Sequence, residues 1–560
     1  ASRAGLFAAV LGAMVAGVEV VGEVEWSGQQ AVAAQPAAAG AFVASVQERL
    51  GRQKGVAAIL GLPVGDRGAF PVELARTSDL ILYFQSADAG QVEHVRQRAD
   101  DSGLLGRRIF AEVGGWDSVH LADDLADWVV VFPEASKHVP EKELLRVLRP
   151  GGVAWRPDGE LQKPLPKGTD SWSHVYHGPD NNPLSSDQLA RAPYRTQFLA
   201  EPLFCPMPEV SVAAGGKVYR AFGHIAHKAN QNPMLNTLIC VNAYNGTIMW
   251  TRKLKEGFMI HRNTMIATPE ALYLADDESC KIIDPDTGRV RDEIRVPEGL
   301  SDGPVWKWMA LVDGVLYALV GGEEVHVHTQ PSQTPGLGHW PWGMWAGHDY
   351  KNPKTNFGFG RTFLAIQPRT KKILWSYRDD QYIDSRGVCL GSGRIYFYSP
   401  GKFLASLDVT TGQIIWRTRD RKLLEAIGPN GPAQLWKTGY STTSYIKCTD
   451  KYLFFAGPQR SRLVVVRAED GRLLWQREPG NLLLVLRPEA IYAAGPQVGG
   501  GEKSGYKIAY ETWKILGRLP KRRACTRATG SVDSIFYRAS GGTVRLDLVS
   551  NTDQHIAPMR

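Results

Sequence analysis

Asp408-Val409-Thr410-Thr411-Gly412-Gln413-Ile414-Ile415-Trp416 is the stretch whose reading decides the fold. The alternating run Phe403-Leu404-Ala405-Ser406-Leu407 enters it, and Ile414-Ile415-Trp416-Arg417 leaves it. Apolar alternation on both sides of a glycine-bearing turn describes two antiparallel strands. Upstream, Val388-Cys389-Leu390 and Arg394-Ile395-Tyr396-Phe397-Tyr398 flank Gly391-Ser392-Gly393 and describe a second pair. The unit is therefore four short strands.

The same phrase recurs along the last two thirds of the chain. It reads Asn245-Gly246-Thr247-Ile248-Met249-Trp250, then Asp284-Pro285-Asp286-Thr287-Gly288, then Gln367 to Trp375 and Glu469-Asp470-Gly471-Arg472-Leu473-Leu474-Trp475. Weaker echoes run from Tyr510 to Gly517 and from Asp547 to Asp553. Four strands in a period of about 40 residues make one blade of a β-propeller, and blades bury their faces only by stacking around an axis. Two intervals are longer and read as a blade plus an insertion, at Glu323 to Gly360 and Arg419 to Gly439. Seven blades are recognisable, and a ring-closing strand from Asp170 to Tyr176 would extend the count to eight.

The tryptophan-bearing phrase resembles the repeats of the quinoprotein alcohol dehydrogenase-like propellers, a family that includes outer-membrane assembly lipoproteins. The resemblance covers about residues 170 to 560. It implies that Trp250, Trp375, Trp416 and Trp475 pack between blades, and it leaves the activity open. Dehydrogenases of this family hold pyrroloquinoline quinone (PQQ) in the axial channel with a ring of two adjacent cysteines, a stacking tryptophan, and a metal ion on Glu, Asn and Asp. This sequence has no Cys-Cys pair.

Residues 55 to 156 follow another pattern. Apolar runs Val56 to Leu60, Leu80 to Phe84 and Trp128 to Val131 alternate with helical segments, which means a parallel α/β sheet. The strand order and the phrase Leu148-Arg149-Pro150-Gly151-Gly152 resemble class I S-adenosylmethionine (SAM)-dependent methyltransferases. By that resemblance Gly61, Gly65 and Gly68 would form the cofactor loop, Gln85 would stand at the ribose position, and Asp117 would face the adenine. Pro63 inside the loop and a neutral Gln85 where the family has an acid depart from the pattern, and the chain reaches the propeller too soon for the family's last two strands. A degenerate Rossmann-like domain without SAM is the expectation.

The expected organisation is thus an N-terminal segment over 1–50, a Rossmann-like domain over 51–157, a linker over 158–205 and a propeller over 206–560. The first segment has an apolar run from Leu6 to Val18 and a site resembling a signal-peptidase cleavage point at Ala31-Val32-Ala33, but Glu19, Glu23 and Glu25 interrupt it. It reads either as a signal or anchor, with peripheral or anchored membrane association, or as an ordinary helix. With the propeller family, it points to a periplasmic, envelope or secreted protein. A net charge of +8 spread over 560 residues speaks against nucleic acid. The six cysteines form no C-x-x-C motif and read as buried thiols.

Three constellations remain. The segments that should begin the innermost strands are basic and polar: His261, Arg262 and Asn263; Lys307; Asp384 and Arg386; Lys437; Arg522, Arg523 and Arg527. Converging cations would make a tunnel mouth that binds an anion, such as a carboxylated quinone or an acidic peptide; salt bridges within the blades are the alternative. His174, His177, His224 and His227 could ligate a metal ion, although His-x-x-His is weak spacing. The aromatic 323–360 insertion, with His339 to Trp345, reads as a partner surface. The leading expectation is a binding or assembly module with a protein partner. An oxidoreductase using a quinone or metal ion comes second and a SAM methyltransferase third.

Overall fold

The computed structural model describes residues 41–558, except 52, 195–196, 204, 258–262, 336–352, 354–357, 433, 436–438, 441–442, 496–502, 523–526 and 540–541. Its first sheet has the order Ile109–Val113, Asp79–Ser86, Lys54–Leu60, Ala126–Val131, Leu148–Arg156, Gly159–Gln162. The first five strands are parallel and the last is antiparallel. Continuous apolar runs suit strands covered on both faces. One face packs on helices Ala69–Thr77 and Ala89–Asp101 through Leu74, Val92 and Val95, and the other on Glu141–Val147 through Leu144. The helix over 41–50, read from sequence as part of the N-terminal segment, adds Val46 and Leu50 to this core; the signal-like stretch before it lies outside the described residues. One of the two strands thought to have no room is present, because the chain doubles back at Asp158 and pairs Arg156 with Gly159.

Seven four-stranded antiparallel sheets follow among the described residues. Their first strands, Met207–Ala214, Met265–Ala267, Val305–Val312, Val388–Gly391, Ile446–Cys448, Leu483–Arg487 and Thr529–Gly530, begin blades 1 to 7 and are the innermost: those of blades 1 and 2, 2 and 3, and 4 and 5 touch, and all seven bond one central segment. The expected eighth unit is replaced by something else. Blade 7 takes all its strands from 529–558, and Asp170 to Tyr176 joins no sheet.

The repeated phrase is one turn with one strained position. Residues 246, 288, 371, 412, 471, 513 and 551 all have positive φ, between 56° and 77°. Four are glycines, and for three of them the reason is the neighbouring blade, while Gly246 lies against Phe198. A Cβ on Gly288, Gly412 or Gly471 would lie 2.6 Å from the rings of Trp250, Trp375 and Trp416 respectively. Each of those indoles donates to a carbonyl of the same turn: Trp250 to Pro285 (3.0 Å), Trp375 to Val409 (2.8 Å) and Trp416 to Ala468 (3.0 Å). Where blade 2 has Asp292 at the tryptophan position, blade 3 has Lys371 at the glycine position, and the two form an ion pair. Tryptophan goes with glycine, and aspartate with lysine.

The turn of blade 1 has a second role. The repeat begins with Asp284 in blade 2 and Asp408 in blade 4, whose carboxylates accept the next backbone N–H groups and close the turn. Blade 1 has Asn242 there. Its Oδ1 still accepts from Tyr244 N (2.9 Å), as an Asx turn requires, while its Nδ2 donates to Asp127 of the α/β domain (2.8 Å). Asn245 adds bonds to Asp127 (2.8 Å) and the Leu125 carbonyl (3.0 Å). Asp127, 2 % exposed, also accepts from Val56 N and pairs with Arg149. One amide nitrogen converts a blade turn into a clamp between domains.

Restoring the repeat's acid with Asn242→Asp would bring a second carboxylate against buried Asp127, at a cost of about 2–4 kcal/mol. The variant is expected to unfold at lower denaturant and to be cut faster by protease between 163 and 206. Unchanged stability and cleavage would remove this pair as the clamp.

Candidate functional site

In each blade the innermost strand has one side hydrogen-bonded to its neighbour and the other facing the axis, where its backbone groups need partners. Residues 172–185 supply them. Ala213 of blade 1 donates to the Trp172 carbonyl (2.8 Å), Ala267 of blade 2 to Ser173 (2.9 Å), and Leu311 of blade 3 to His174 Nε2 (3.1 Å). Leu390 of blade 4 donates to Pro179 (2.8 Å) and Cys448 of blade 5 to Asp180 (3.2 Å). Leu486 of blade 6 donates to Asn182 Oδ1 (2.9 Å), and Gly530 of blade 7 to Pro183 (2.8 Å). The segment visits the blades in sequence order and closes the end of the channel where the innermost strands finish.

Asn181, fully buried, ties two blades at once through Nδ2, to Val388 O (2.8 Å) and Ile446 O (3.1 Å). Tyr176 lies between two cations, with Arg527 4.2 Å and Lys447 5.4 Å from its ring centre. Arg527 also donates to Val175 O (2.8 Å), and Lys447 to Asn181 O. Burial brings the Lys447 ammonium down to about 8 against the pull of Asp180. Asp180, Asn181 and Lys447 were missed from sequence. A signal was present: Asn side chains both donate to and accept from backbone while Asp accepts, and Pro179 to Pro183 brackets one Asp and two Asn.

The expected tunnel-mouth residues lie toward the other ends of the innermost strands. His261, Arg262, Lys437 and Arg523 fall outside the described residues. Of the rest, Lys307 is 1 % exposed and donates to Glu324 and the Gly322 carbonyl, both at 2.7 Å. Arg386 donates two hydrogen bonds to Asp384 (2.9 and 2.6 Å), which also accepts from Asn430 (2.7 Å) and Tyr445 (2.9 Å). Arg522 donates to Gly495 O (2.7 Å), Arg527 donates to Val175 O of the threaded segment, and Asn263 Nδ2 faces Asn181 Oδ1 at 3.4 Å. Each of these described cations has a partner inside its own blade or on the threaded segment.

The four histidines divide between opposite ends of the channel. His174 is buried and its ring bonds Leu311 N and Ser173 Oγ (2.8 Å), while His177 pairs with Asp170 (2.6 Å). His224 lies near the end of the second strand of blade 1, Lys217–Ile225, at the far side, and His227 follows it. Among the described residues, no three His, Cys, Asp or Glu side chains are grouped to hold a metal ion.

In the α/β domain Gln85 is completely buried. Its Nε2 donates to Gly115 O (2.7 Å) and Ser118 O (2.8 Å), and its Oε1 accepts from His120 N (3.0 Å) and Tyr83 OH (2.9 Å). The amide has nothing left for a ribose. Gly61, Gly65 and Gly68 all have positive φ, yet Gly68 is required by packing, since a Cβ there would lie 2.7 Å from His94 O. Asp66 caps Ala69 N (2.8 Å) and Phe70 N (3.1 Å), placing an acid at the helix end beside this loop. Asp117 is exposed.

Known proteins share these two architectures. A family model described as outer membrane protein assembly factor BamB matches residues 357–481. The solved structure of BamB from Moraxella catarrhalis is 12 % identical, covering 61 % of this chain and 94 % of its own, with TM-score 0.35. Quinohemoprotein alcohol dehydrogenase from Comamonas testosteroni is 11 % identical over 70 % of this chain and 73 % of its own, with TM-score 0.44. A putative SAM-dependent methyltransferase from Methanococcus maripaludis is 18 % identical over 24 % and 66 %, with TM-score 0.18. A search of curated proteins matched none.

Burial drives the His174 imidazole down to about 3, so it stays neutral in the folded channel. An unfolded histidine gains its proton near 6.5. The stability this site contributes is therefore present above about 6.5 and is lost as pH falls towards 3, by about 1.4 kcal/mol per pH unit. His174→Gln should flatten the fall in urea midpoint between those pH values relative to the parent. Parallel profiles would show that His174 is not the titrating contact.

Proposed function

We propose that this chain is a binding or assembly module of the cell envelope or exterior, a rigid propeller carrying a partner-binding surface rather than a cofactor. One observation carries the reading: residues 172–185 bond in turn to the innermost strand of all seven blades, and so occupy the axis themselves. Supporting it, three of the cations expected to hold an anionic quinone, Lys307, Arg386 and Arg522, bond Glu324, Asp384 and the Gly495 carbonyl. The α/β domain acts as a docking support for blade 1 through Asp127, with its Gln85 spent on its own backbone. The 323–360 insertion belongs to the same reading as a partner surface; its aromatic centre from His339 to Trp345 and His348 lie outside the described residues.

The purified chain mixed with PQQ and calcium or a lanthanide ion should develop no quinone absorbance and reduce no dye. SAM at millimolar concentration should give no heat by calorimetry, and a tagged chain from its native cells should retain a stoichiometric partner through gel filtration. Alcohol-dependent dye reduction with quinone would overturn the reading in favour of an oxidoreductase.

A further inference from the structure

The seam between blades 5 and 6 departs from the other tryptophan seams. Its left-handed position carries Trp513 (φ 56°), which is unusual for a bulky side chain. Trp475 therefore has no glycine to lie on. It stacks on the Trp513 ring instead, centroids 5.7 Å apart and planes 18° from parallel. Three blades make an indole bond to the neighbouring turn, but Trp475 makes none among the described residues.

Beside this thickened seam opens a cleft of about 670 Å³, bounded by the first turn of blade 5, the first and last turns of blade 6 and Leu184 of the threaded segment. That is the size of a small-ligand site. Tyr452 and Tyr510 line it with nearly parallel rings, centroids 6.3 Å apart and planes 11° from parallel. Its rim is acidic. Asp450 and Glu511 are exposed and make no ion pair among the described residues. Of the two cations nearby, Arg487 is already held by Glu489 and by the carbonyls of Ser531 and Val532, which leaves Lys451. The Asp450 charge, with that of Glu489, also helps burial to raise the Tyr510 hydroxyl.

We propose that this cleft receives an arginine side chain of a protein partner, its guanidinium against the Tyr452 and Tyr510 rings and its charge matched by Asp450 and Glu511. Parallel aromatic faces beside unmatched carboxylates suit a planar, weakly hydrated cation better than a compact ammonium. The assignment rests on the binding-module reading and names the chemistry of one contact within it.

Acetyl-arginine amide, observed by saturation-transfer NMR with the full chain, should bind saturably in the millimolar range and weaken as salt is added. Its uncharged isostere acetyl-citrulline amide should not bind. Asp450→Asn combined with Glu511→Gln should weaken the arginine probe roughly fivefold or more, while Glu425→Gln, on the exposed helix over 421–427, should not. Equal binding of citrulline, an unchanged affinity in the double variant, or no binding of arginine would each overturn the site. A lysine probe bound as tightly as arginine would overturn the planar-cation assignment. A partner retained in gel filtration alongside any of these failures would leave the binding module standing without this contact.

Discussion

The innermost strand of a propeller blade is an edge, and seven such edges facing one axis leave seven sets of backbone groups to be satisfied. A wide channel could leave them to water. Here one backbone N–H from each blade is met by a single short segment, residues 172–185. The rest follows from that constraint. The segment needs side chains able both to donate and to accept, hence Asn181 and Asn182, and a ring that two cations can hold, hence Tyr176. Space taken by this structure is not available at that end of the channel for a cofactor.

The repeat shows how a modular fold tolerates exceptions. The turn geometry is constant, but what lies on its left-handed residue changes with the neighbour: an indole on glycine, an ion pair between Asp292 and Lys371, or one indole on another at Trp475 and Trp513. Each exception is compensated across the seam, which means that the pair of blades, rather than the blade, is the unit of stability. Asn242 extends the same logic to a different neighbour, the α/β domain.

The fold was legible because it repeats. Period, turn and alternation are local signals, and seven blades preceded by a parallel sheet follow from them. The candidate site was less so. The partners of its described residues, Glu324 for Lys307 and Asn430 and Tyr445 for Asp384, come from loops at a distance in sequence that no local pattern connects. Similarly, Asp170 to Tyr176 reads as a strand by composition, and only the three-dimensional ring shows that it crosses strands instead of joining them. Gln85 could be recognised as a departure from an acidic position; its four backbone and side-chain bonds could not.

The order in which residues 172–185 meet the blades gives assembly a direction. The segment leaves the ribosome before blade 1 and is bonded to blades 1 to 7 in the order in which they are made. Domains and their parts fold as synthesis proceeds, N-terminal first, so each finished blade finds its acceptors already waiting beside the one before it. The segment then acts as a ruler along which the ring is counted out, and its last bonds, from Gly530 N to the Pro183 carbonyl and from Ser185 N to the Gly530 carbonyl, are made only when the seventh blade arrives.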